Sequence, residues 1–369
     1  MIENVLNQNE LSGFYIVYNN VVANETDGTY GLSHLIEHLI CKNLKDEFVE
    51  KLENNGIIWN AYTTPNNIVF YIRGLDDYVF KFKDEFYNIV SNFDVTEQSL
   101  QSEKKIVLDE YTDLFNRYNK NHYLNLYRKL FNNYNSIGRR SDIENITLDK
   151  CYSHYHNYYN NPYKIIYISK KYQHETDIKF GGNDIIKGFN YIPNNNAYTL
   201  ESPISSKNKS SVIYISPVVN DDFDKIIFIN YLLSGGLKSP LYKNLREKEN
   251  LTYYINCRID RLQNTGIVLI STETNDYNIE KLHETVVNVF NDRSYLNKEK
   301  FNTIKNFIKI NNLKSNINLQ DNEDKFILPQ NWLIENTIDS ITYDDIVETF
   351  DKYFNIEKFY KSVDKTEFY

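Results

Sequence analysis

The feature that most constrains this chain is the segment 30–40, which reads YGLSHLIEHLI. In a helix, His34 and His38 lie one turn apart on the same face, and Glu37 lies beside them. Two imidazoles at this spacing can bind one zinc ion, and a neighbouring carboxylate can take a proton from a zinc-bound water. The order is the reverse of the commoner His-Glu-x-x-His pattern. The segment therefore predicts a helix that carries part of a zinc site.

The motif by itself leaves an alternative open, since a half-buried helix can also carry two ordinary histidines. The chain has 7 histidines among 369 residues. If chains of this composition were shuffled at random, roughly one in a hundred of them would contain the pattern. An open catalytic zinc needs one more protein ligand than two histidines supply. Support for a zinc site must therefore come from elsewhere in the chain.

A candidate third ligand lies in the segment 99–111, which reads SLQSEKKIVLDEY. Its apolar residues follow the spacing of an amphipathic helix. Glu103 and Glu110 are seven residues apart, which is about two helical turns, so both project from one face. Asp109 is a competing ligand, but on such a helix it points about 100° away from Glu110.

Together, these segments resemble the pitrilysin, insulin-degrading enzyme and mitochondrial processing peptidase family of zinc metallopeptidases, which are inverzincins. Its members pair the inverted motif with two glutamates at this spacing, and here Glu110 follows His38 by 72 residues. The resemblance implies one Zn²⁺ per chain, bound by His34, His38 and Glu110. It also implies that Glu37 is the general base and that Glu103 orients a ligand. A solvated surface glutamate is the alternative for Glu103.

The segments 57–63 and 68–72 predict a β-hairpin, because two apolar runs flank the turn sequence TPNN. The stretch Asn60-Ala61-x-Thr63 resembles the substrate-binding edge strand of the family. An unpaired strand edge can bind an extended peptide as an additional strand. A plain structural hairpin is the alternative.

The second half of the chain repeats the order of elements without the metal ligands. The segment 183–197, rich in Gly, Asn and Pro, predicts a linker between a catalytic domain, 1–182, and a second domain, 198–369. A strand at 211–216 and a helix at 222–233 take the places of the first strand and the zinc helix. We therefore expect an α+β fold with two similar domains, each an antiparallel sheet packed with helices.

A second diagnostic segment is 233–253, which reads LSGGLKSPLYKNLREKENLTY. It resembles the glycine-rich turn and Leu-Arg segment of the family, with Arg246 and Tyr253 seven residues apart. In the family this pair helps to bind substrate and to stabilise the oxyanion, since a guanidinium and a phenol both donate hydrogen bonds. The alternative is a helix-end arginine paired with a surface glutamate, together with a core tyrosine.

The remaining segments alternate between helix and strand. Strands are predicted at 14–18, 163–169 and 266–272, helices at 48–55, 77–93, 148–159, 277–291, 298–311 and 341–353, and a loop at 311–330.

Composition restricts the partners and the compartment. The net charge of −9 argues against nucleic acid as a partner. Three widely spaced cysteines indicate free thiols in a reducing compartment. The sequence has no membrane-spanning apolar run and its start lacks the shape of a signal peptide, so we expect a cytoplasmic protein without a membrane anchor.

The function implied by the resemblance is that of a zinc metalloendopeptidase that processes extended peptides inside a clamshell. Two alternatives stay open: a peptidase-like subunit that has lost activity and serves as a structural or peptide-binding partner, and a small-molecule metallohydrolase. One two-domain chain is half of the family's four-domain clamshell. We therefore expect a homodimer in which Arg246 and Tyr253 of one subunit reach over the zinc of the other, with a heterodimer of related subunits as the alternative.

Overall fold

The structure is a computed structural model, and the chain divides into two compact units. It describes residues 2–6, 10–19, 21–116, 122–124, 126, 135–173, 198–202, 209–219, 222–262, 265–315, 327 and 338–366. Unit 1 comprises 1–115, 132–187 and 318–329, and unit 2 comprises 116–131, 188–317 and 330–369. The units are therefore not contiguous in sequence. The predicted linker, 183–197, lies outside the described residues, so the predicted domain bounds stay predictions.

Unit 1 is built on a five-stranded sheet. The strands are β1 (Ile2–Leu6), β2 (Leu11–Asn19), β3 (Ile58–Thr63), β4 (Asn67–Leu75) and β5 (Lys164–Ser169). Their order is β1-β5-β2-β4-β3, which places β3 at an edge. All neighbours pair antiparallel except β1 and β5, which are parallel.

Within the described residues, six α-helices with defined bounds belong to unit 1. They are α1 (Leu32–Lys42), α2 (Asp46–Asn54), α3 (Asp76–Val90), α4 (Glu97–Asn116), α5 (Arg140–Glu144) and α6 (Leu148–Tyr158). Alternate residues of the central strands, such as Phe14 and Phe70, form the main core with the apolar faces of these helices. The opposite face of the sheet, which carries Tyr15 and Val69, is packed by Ile327.

Unit 2 repeats this topology. Its strands are β6 (Tyr198–Ser202), β7 (Ser210–Val219), β8 (Ile255–Leu262), β9 (Thr265–Thr274) and β10 (Tyr360–Thr366). Their order, β6-β10-β7-β9-β8, matches that of unit 1 strand for strand, including the parallel pair β6 and β10. Its helices are α7 (Phe223–Ser234), α8 (Ile279–Asn291), α9 (Lys298–Ser315) and α10 (Tyr343–Tyr353), with a π-helical turn at Tyr242–Lys248. As predicted, α7 takes the place of α1.

The same pair of lysine-to-carbonyl hydrogen bonds occurs at equivalent places in both units. Lys104 is the eighth residue of α4, and its ammonium donates to two main-chain carbonyls just before α6. Lys305 is the eighth residue of α9 and does the same before α10. The acceptors are Glu144 at 2.7 Å and Ile146 at 3.1 Å in unit 1, and Asp339 and Ile341, both at 3.0 Å, in unit 2. In each unit, the two accepting carbonyls lie four and two residues before the first residue of the following helix, α6 or α10.

The predicted fold class is confirmed, with one correction. We expected antiparallel sheets throughout, but each sheet has one parallel pair at an edge. The edge strand β1 reads IENVL and lacks the alternation of apolar and polar residues that marks a half-buried strand. Its parallel pairing with β5 joins segments more than 150 residues apart, which local patterns do not encode.

Most predicted helices and strands lie within a few residues of the observed ones. The exception is the predicted loop 311–330, whose first residues continue α9 to Ser315. The expected cap of the last helix is present, since Thr342 and Asp345 form a reciprocal capping box at the start of α10. Within the described residues, no helix is both long and apolar enough to cross a membrane.

The loop that leads into α1 is held by two carboxylates. Glu25 accepts hydrogen bonds from the N–H groups of Gly31, at 2.8 Å, and Ser33, at 2.6 Å. Asp142 accepts from the N–H groups of Gly28 and Tyr30. The Glu25 contacts satisfy donors at the start of the helix that have no partner within it, and the Asp142 contacts hold the loop just before it. They also fix where the helix begins.

Two glycines let the backbone approach itself closely at this point. Gly31 has φ = 97° and Gly138 has φ = 79°, both in the left-handed region. A Cβ atom added to Gly138 would lie 2.3 Å from Cα of Gly31. Only two glycines permit this approach, which places α5 against the first turn of α1.

We predict that Gly138→Ala lowers the free energy of unfolding by at least about 3 kcal/mol, because the clash with backbone adds to the strain of a positive φ. The matched control is Gly56→Ala, since Gly56 has φ = 67° but open space around its missing Cβ. The control should cost only about 1 kcal/mol. Denaturant unfolding of both variants measures the difference, and equal losses would contradict a close-contact role for Gly138.

Candidate active site

The inverted motif lies on α1 as predicted. Its two histidines and its glutamate lie on the face of the helix that does not pack into the core. Leu35, Ile36, Leu39 and Ile40 are all fully buried and anchor the helix. Because the helical period is fixed, His34, Glu37 and His38 then share the opposite side. The imidazole rings of His34 and His38 lie edge to face, with their centroids 4.8 Å apart.

Glu110 of α4 completes a convergent donor set with the two histidines. Its Oε2 atom lies 3.6 Å from Nε2 of His34 and 3.6 Å from Nε2 of His38. One ligand atom from each of the three residues falls within 4.8 Å of the others, and no other such group of three or more metal-ligating side chains occurs among the described residues. Asp109, the competing ligand, is exposed and has no place in this group.

The electrostatics of this donor set suit a cation. Burial and the neighbouring His38 lower the pKa of His34 to about 4, so His34 is neutral and offers a lone pair. Burial alone would lower the pKa of His38, but Glu110, Glu37 and Glu103 together raise it. Two imidazoles thus lie among three carboxylates, and that excess negative charge fits Zn²⁺ with a set of nitrogen and oxygen ligands.

Glu37 is close to these ligands but is not one of them. It is buried, and its Oε2 accepts a 2.7 Å hydrogen bond from the hydroxyl of Thr63 on β3. Burial raises the pKa of Glu37, and the Thr63 hydrogen bond offsets part of that rise. A carboxylate held in this way can accept a proton more readily than an exposed glutamate.

Glu103 lies behind the ligands, where a contact to one of them was expected. Its side chain is only 6% exposed, and its Oε2 lies 3.6 Å from Nδ1 of His38. The opposite ring nitrogen, Nε2, faces Glu110. The burial of Glu103 contradicts the alternative of a solvated surface glutamate.

The strand β3 borders the site and, within the described residues, lies at the edge of its sheet next to β4. The N–H of Thr64 donates to the carbonyl of Asn67 at 2.8 Å, which sets the alternation of hydrogen-bonded pairs along the hairpin. By that alternation, the main-chain groups of Trp59, Ala61 and Thr63 point away from β4. An extended peptide would find its partners there.

The side chains of Asn60 and Thr63 lie on opposite faces of the edge strand β3. Ala61 packs against the helix-side core and Tyr62 against the opposite face. Because successive side chains alternate, Thr63 faces the site and Asn60 faces away from it. Asn60 is exposed on the outer face of the edge strand.

Arg246 and Tyr253 are brought together within unit 2. The guanidinium carbon of Arg246 lies 4.7 Å from the centroid of the Tyr253 ring. Tyr253 is 75% exposed, so it is not the core tyrosine of the alternative interpretation. The other half of that interpretation is present, since Nε of Arg246 lies 3.6 Å from a carboxylate oxygen of the exposed Glu247. The π-helical turn carries Arg246 and ends near Asn250, whose φ of 52° redirects the chain toward Tyr253.

Sequence reasoning missed Glu25, which caps the helix that carries the motif. Burial raises the pKa of this carboxyl to about 7, although two main-chain N–H groups counteract the shift. An acidic residue shortly before a helix start is a usable signal, since negative charge is favourable at that end of the helix dipole. The N–H groups that Glu25 caps lie six and eight residues after it in the sequence. No standard capping motif has this spacing.

Two histidines and a base in the order His-x-x-Glu-His on one helix, here joined by a carboxylate from a second helix, are the motif of the inverzincins. Residues 22–139 match the family model "Insulinase (Peptidase family M16)", and residues 182–307 match "Peptidase M16 inactive domain". The chain belongs to the M16 peptidase family. The second match agrees with a non-catalytic copy in the second half.

Individual relatives agree with this assignment. The chain is 22% identical over 290 residues to the uncharacterised zinc protease YmxG of Bacillus subtilis, covering 71% of this chain and 68% of that protein. It is 32% identical over 90 residues to the beta subunit of the mitochondrial-processing peptidase of Neurospora crassa, a stretch of 23% of this chain and 19% of the subunit.

Solved structures share the fold. A protease from Helicobacter pylori superposes with a TM-score of 0.84 at 18% identity, covering 99% of this chain and 97% of the other. An M16 inactive-domain protein from Pseudomonas fluorescens gives 0.77 at 16% identity, covering 100% and 95%. At these identities the likeness concerns the fold alone.

We predict that Glu110→Gln weakens zinc binding by more than about 100-fold, since loss of a residue that only orients a ligand already costs 10–100-fold. Asp109→Asn is the matched control, because it removes the same charge from the adjacent residue and should leave zinc affinity unchanged. Competition with a chromogenic chelator measures both. Equal zinc affinity in the two variants would rule out Glu110 as the third ligand.

Proposed function

We propose that the chain is a zinc-dependent endopeptidase that hydrolyses extended peptides. The observation that carries this proposal is the convergence of His34, His38 and Glu110 beside a buried glutamate that is free of the donor set. That combination of three protein ligands and a separate base is typical of catalytic zinc sites with an open position. The names of the zinc-protease relatives support it.

In this proposal, His34, His38 and Glu110 hold one Zn²⁺ per chain. When bound, zinc polarises the scissile carbonyl and increases the acidity of the attacking water. Glu37 accepts a proton from that water as the new C–O bond forms. It then delivers the proton to the departing amine as the C–N bond breaks. The hydrogen bond from Thr63 keeps the Glu37 carboxylate turned toward β3, where the peptide would lie.

The peptide would bind as an additional strand on β3. Ala61 is the central residue of the outward-facing set, and its N–H and carbonyl have the geometry to pair with an extended chain. Thr63 links this edge to the base through its hydroxyl. A substrate strand placed there would run past Glu37, so we expect the substrates to be extended peptides.

Arg246 and Tyr253 would complete the site by donating hydrogen bonds to the oxyanion of the tetrahedral intermediate. The Tyr253 ring is 75% exposed beside the Arg246 guanidinium, whose Nε lies 3.6 Å from a carboxylate oxygen of Glu247. In the dimer expected from the family, the pair would come from the other subunit.

Charge supports that pairing of unlike units. The acidic and basic residues give unit 1 a formal net charge of −11 and unit 2 one of +2, which sum to the −9 of the chain. Contact of unit 1 with unit 2 of a second copy is electrostatically better than contact between two copies of unit 1. A twofold dimer makes such a contact twice. We therefore propose that the chain forms a homodimer.

Glu37→Gln is predicted to retain zinc and to lose hydrolysis by about 10²–10⁴-fold, because it removes the proton acceptor and no metal ligand. The measurement pairs zinc content with the cleavage rate of a quenched fluorescent peptide library. Wild-type turnover in the zinc-loaded variant would overturn the mechanism, and absence of activity in the wild type would favour a peptide-binding subunit.

Ala61→Pro is predicted to weaken peptide binding at least tenfold while leaving the fold intact, because the lost N–H points outward and proline is tolerated on edge strands. Tyr62→Pro removes an N–H that faces β4 and should instead destabilise the hairpin. Peptide affinity is measured in the Glu37→Gln background, with Ala61→Ser as the control that keeps the N–H. Unchanged affinity in Ala61→Pro would exclude strand addition at this position.

The homodimer predicts complementation between two inactive variants. A Glu37→Gln subunit and an Arg246→Ala subunit are each expected to be poor enzymes. Their mixture should regain part of the activity, since one hybrid site then combines a wild-type Glu37 with a wild-type Arg246. Lack of recovery after verified subunit exchange would count against a shared site.

A further inference from the structure

The buried carboxylate of Glu103 is incompletely satisfied by the residues around it. Oε2 faces Nδ1 of His38 at 3.6 Å. Oε1 is also buried, and it has no hydrogen-bond donor among the residues that the structure describes. A buried carboxylate oxygen without a partner is costly, and such groups need a compensating charge nearby.

Lys42 supplies the only cation in contact with Glu103 among the described residues. Its ammonium nitrogen lies 3.5 Å from Oε1 of Glu103. Lys42 follows His38 by four residues on α1, so both side chains project from the same face of the helix toward α4. Lys42, Glu103 and His38 therefore form a continuous series of contacts that ends at the donor set.

We propose that Lys42 is a positioning residue for the zinc site. Its ammonium balances the charge of Glu103 and holds the carboxylate so that Oε2 faces Nδ1 of His38. An imidazole that donates from Nδ1 presents the lone pair of Nε2, the atom that faces Glu110. Loss of the ammonium leaves Glu103 free to turn away, and His38 then loses the contact that orients its ring. This inference rests on the zinc site of the proposed function.

The chain offers a closely matched control for this role. Lys51 lies 3.5 Å from Glu85, the same separation as Lys42 from Glu103. The two lysines are 58% and 56% exposed, and both line the same surface cleft. They differ in the partner, because Glu85 is 48% exposed whereas Glu103 is 6% exposed. An exposed pair contributes little, and only the buried one connects to a metal ligand.

The test measures zinc affinity directly, by competition with a chromogenic chelator. Lys42→Met should weaken zinc binding about tenfold, at the lower end of the range for residues that orient a ligand. Lys51→Met should change it less than twofold, and Lys42→Arg should restore most of it. Thermal unfolding of the metal-free variants checks that both methionine variants keep the wild-type fold.

A double-mutant cycle tests whether Lys42 acts through Glu103. In a Glu103→Gln background, Lys42→Met should have no further effect on zinc affinity, since the charge it balances is gone. A full tenfold loss in that background would overturn the inference, and so would wild-type affinity in the Lys42→Met single variant. Wild-type protein that binds no zinc would overturn the metal site together with this inference, whereas the other two outcomes leave the proposed function standing.

Discussion

The burial of one face of α1 is the constraint on which the site depends. Four aliphatic side chains of this helix are fully buried against the sheet and its helices. Because the helical period is fixed, their burial turns the motif toward β3 and α4 before any metal is bound. The distances from Glu110 to the two histidines are then a result of packing between two helices. Glu25 and the close approach of Gly31 to Gly138 set where the helix starts, and so set its register.

Spacing within a helix made much of the site predictable. His34, Glu37 and His38 share a face in any helix, and the seven-residue interval between Glu103 and Glu110 aligns them in the same way. Strand alternation also predicts that Asn60 and Thr63 lie on opposite faces of β3, whereas the π-helical turn at Arg246 has no sequence signature. The parallel edge pairs were also missed, because the pairing of β1 with β5 joins distant segments whose local pattern carries no record of a partner.

The two units place different chemistry on one scaffold. Unit 2 has a cavity of about 390 Å³ between α7 and β8, the counterparts of α1 and β3. Its walls carry Asn230 and Cys257, whose Sγ–H donates to the Asn230 amide oxygen at 2.9 Å. Burial raises the pKa of the Cys257 thiol, so the sulfur is not an available thiolate. The same helix-and-strand scaffold thus carries metal-ligating side chains in unit 1 and the uncharged pair Asn230 and Cys257 in unit 2. The difference lies in a few side chains.

The lysines at the eighth position of α4 and α9 mark equivalent places in the two units. Each one donates to main-chain carbonyls, and every residue type carries a carbonyl. A contact of this kind imposes a requirement on one residue only, so its four acceptor positions are free to diverge. Although any residue could occupy the acceptor positions, Glu144 and Ile146 in one unit correspond to Asp339 and Ile341 in the other. The likeness of the two units is thus recorded both in hydrogen bonds to backbone atoms and in the short segments that accept them.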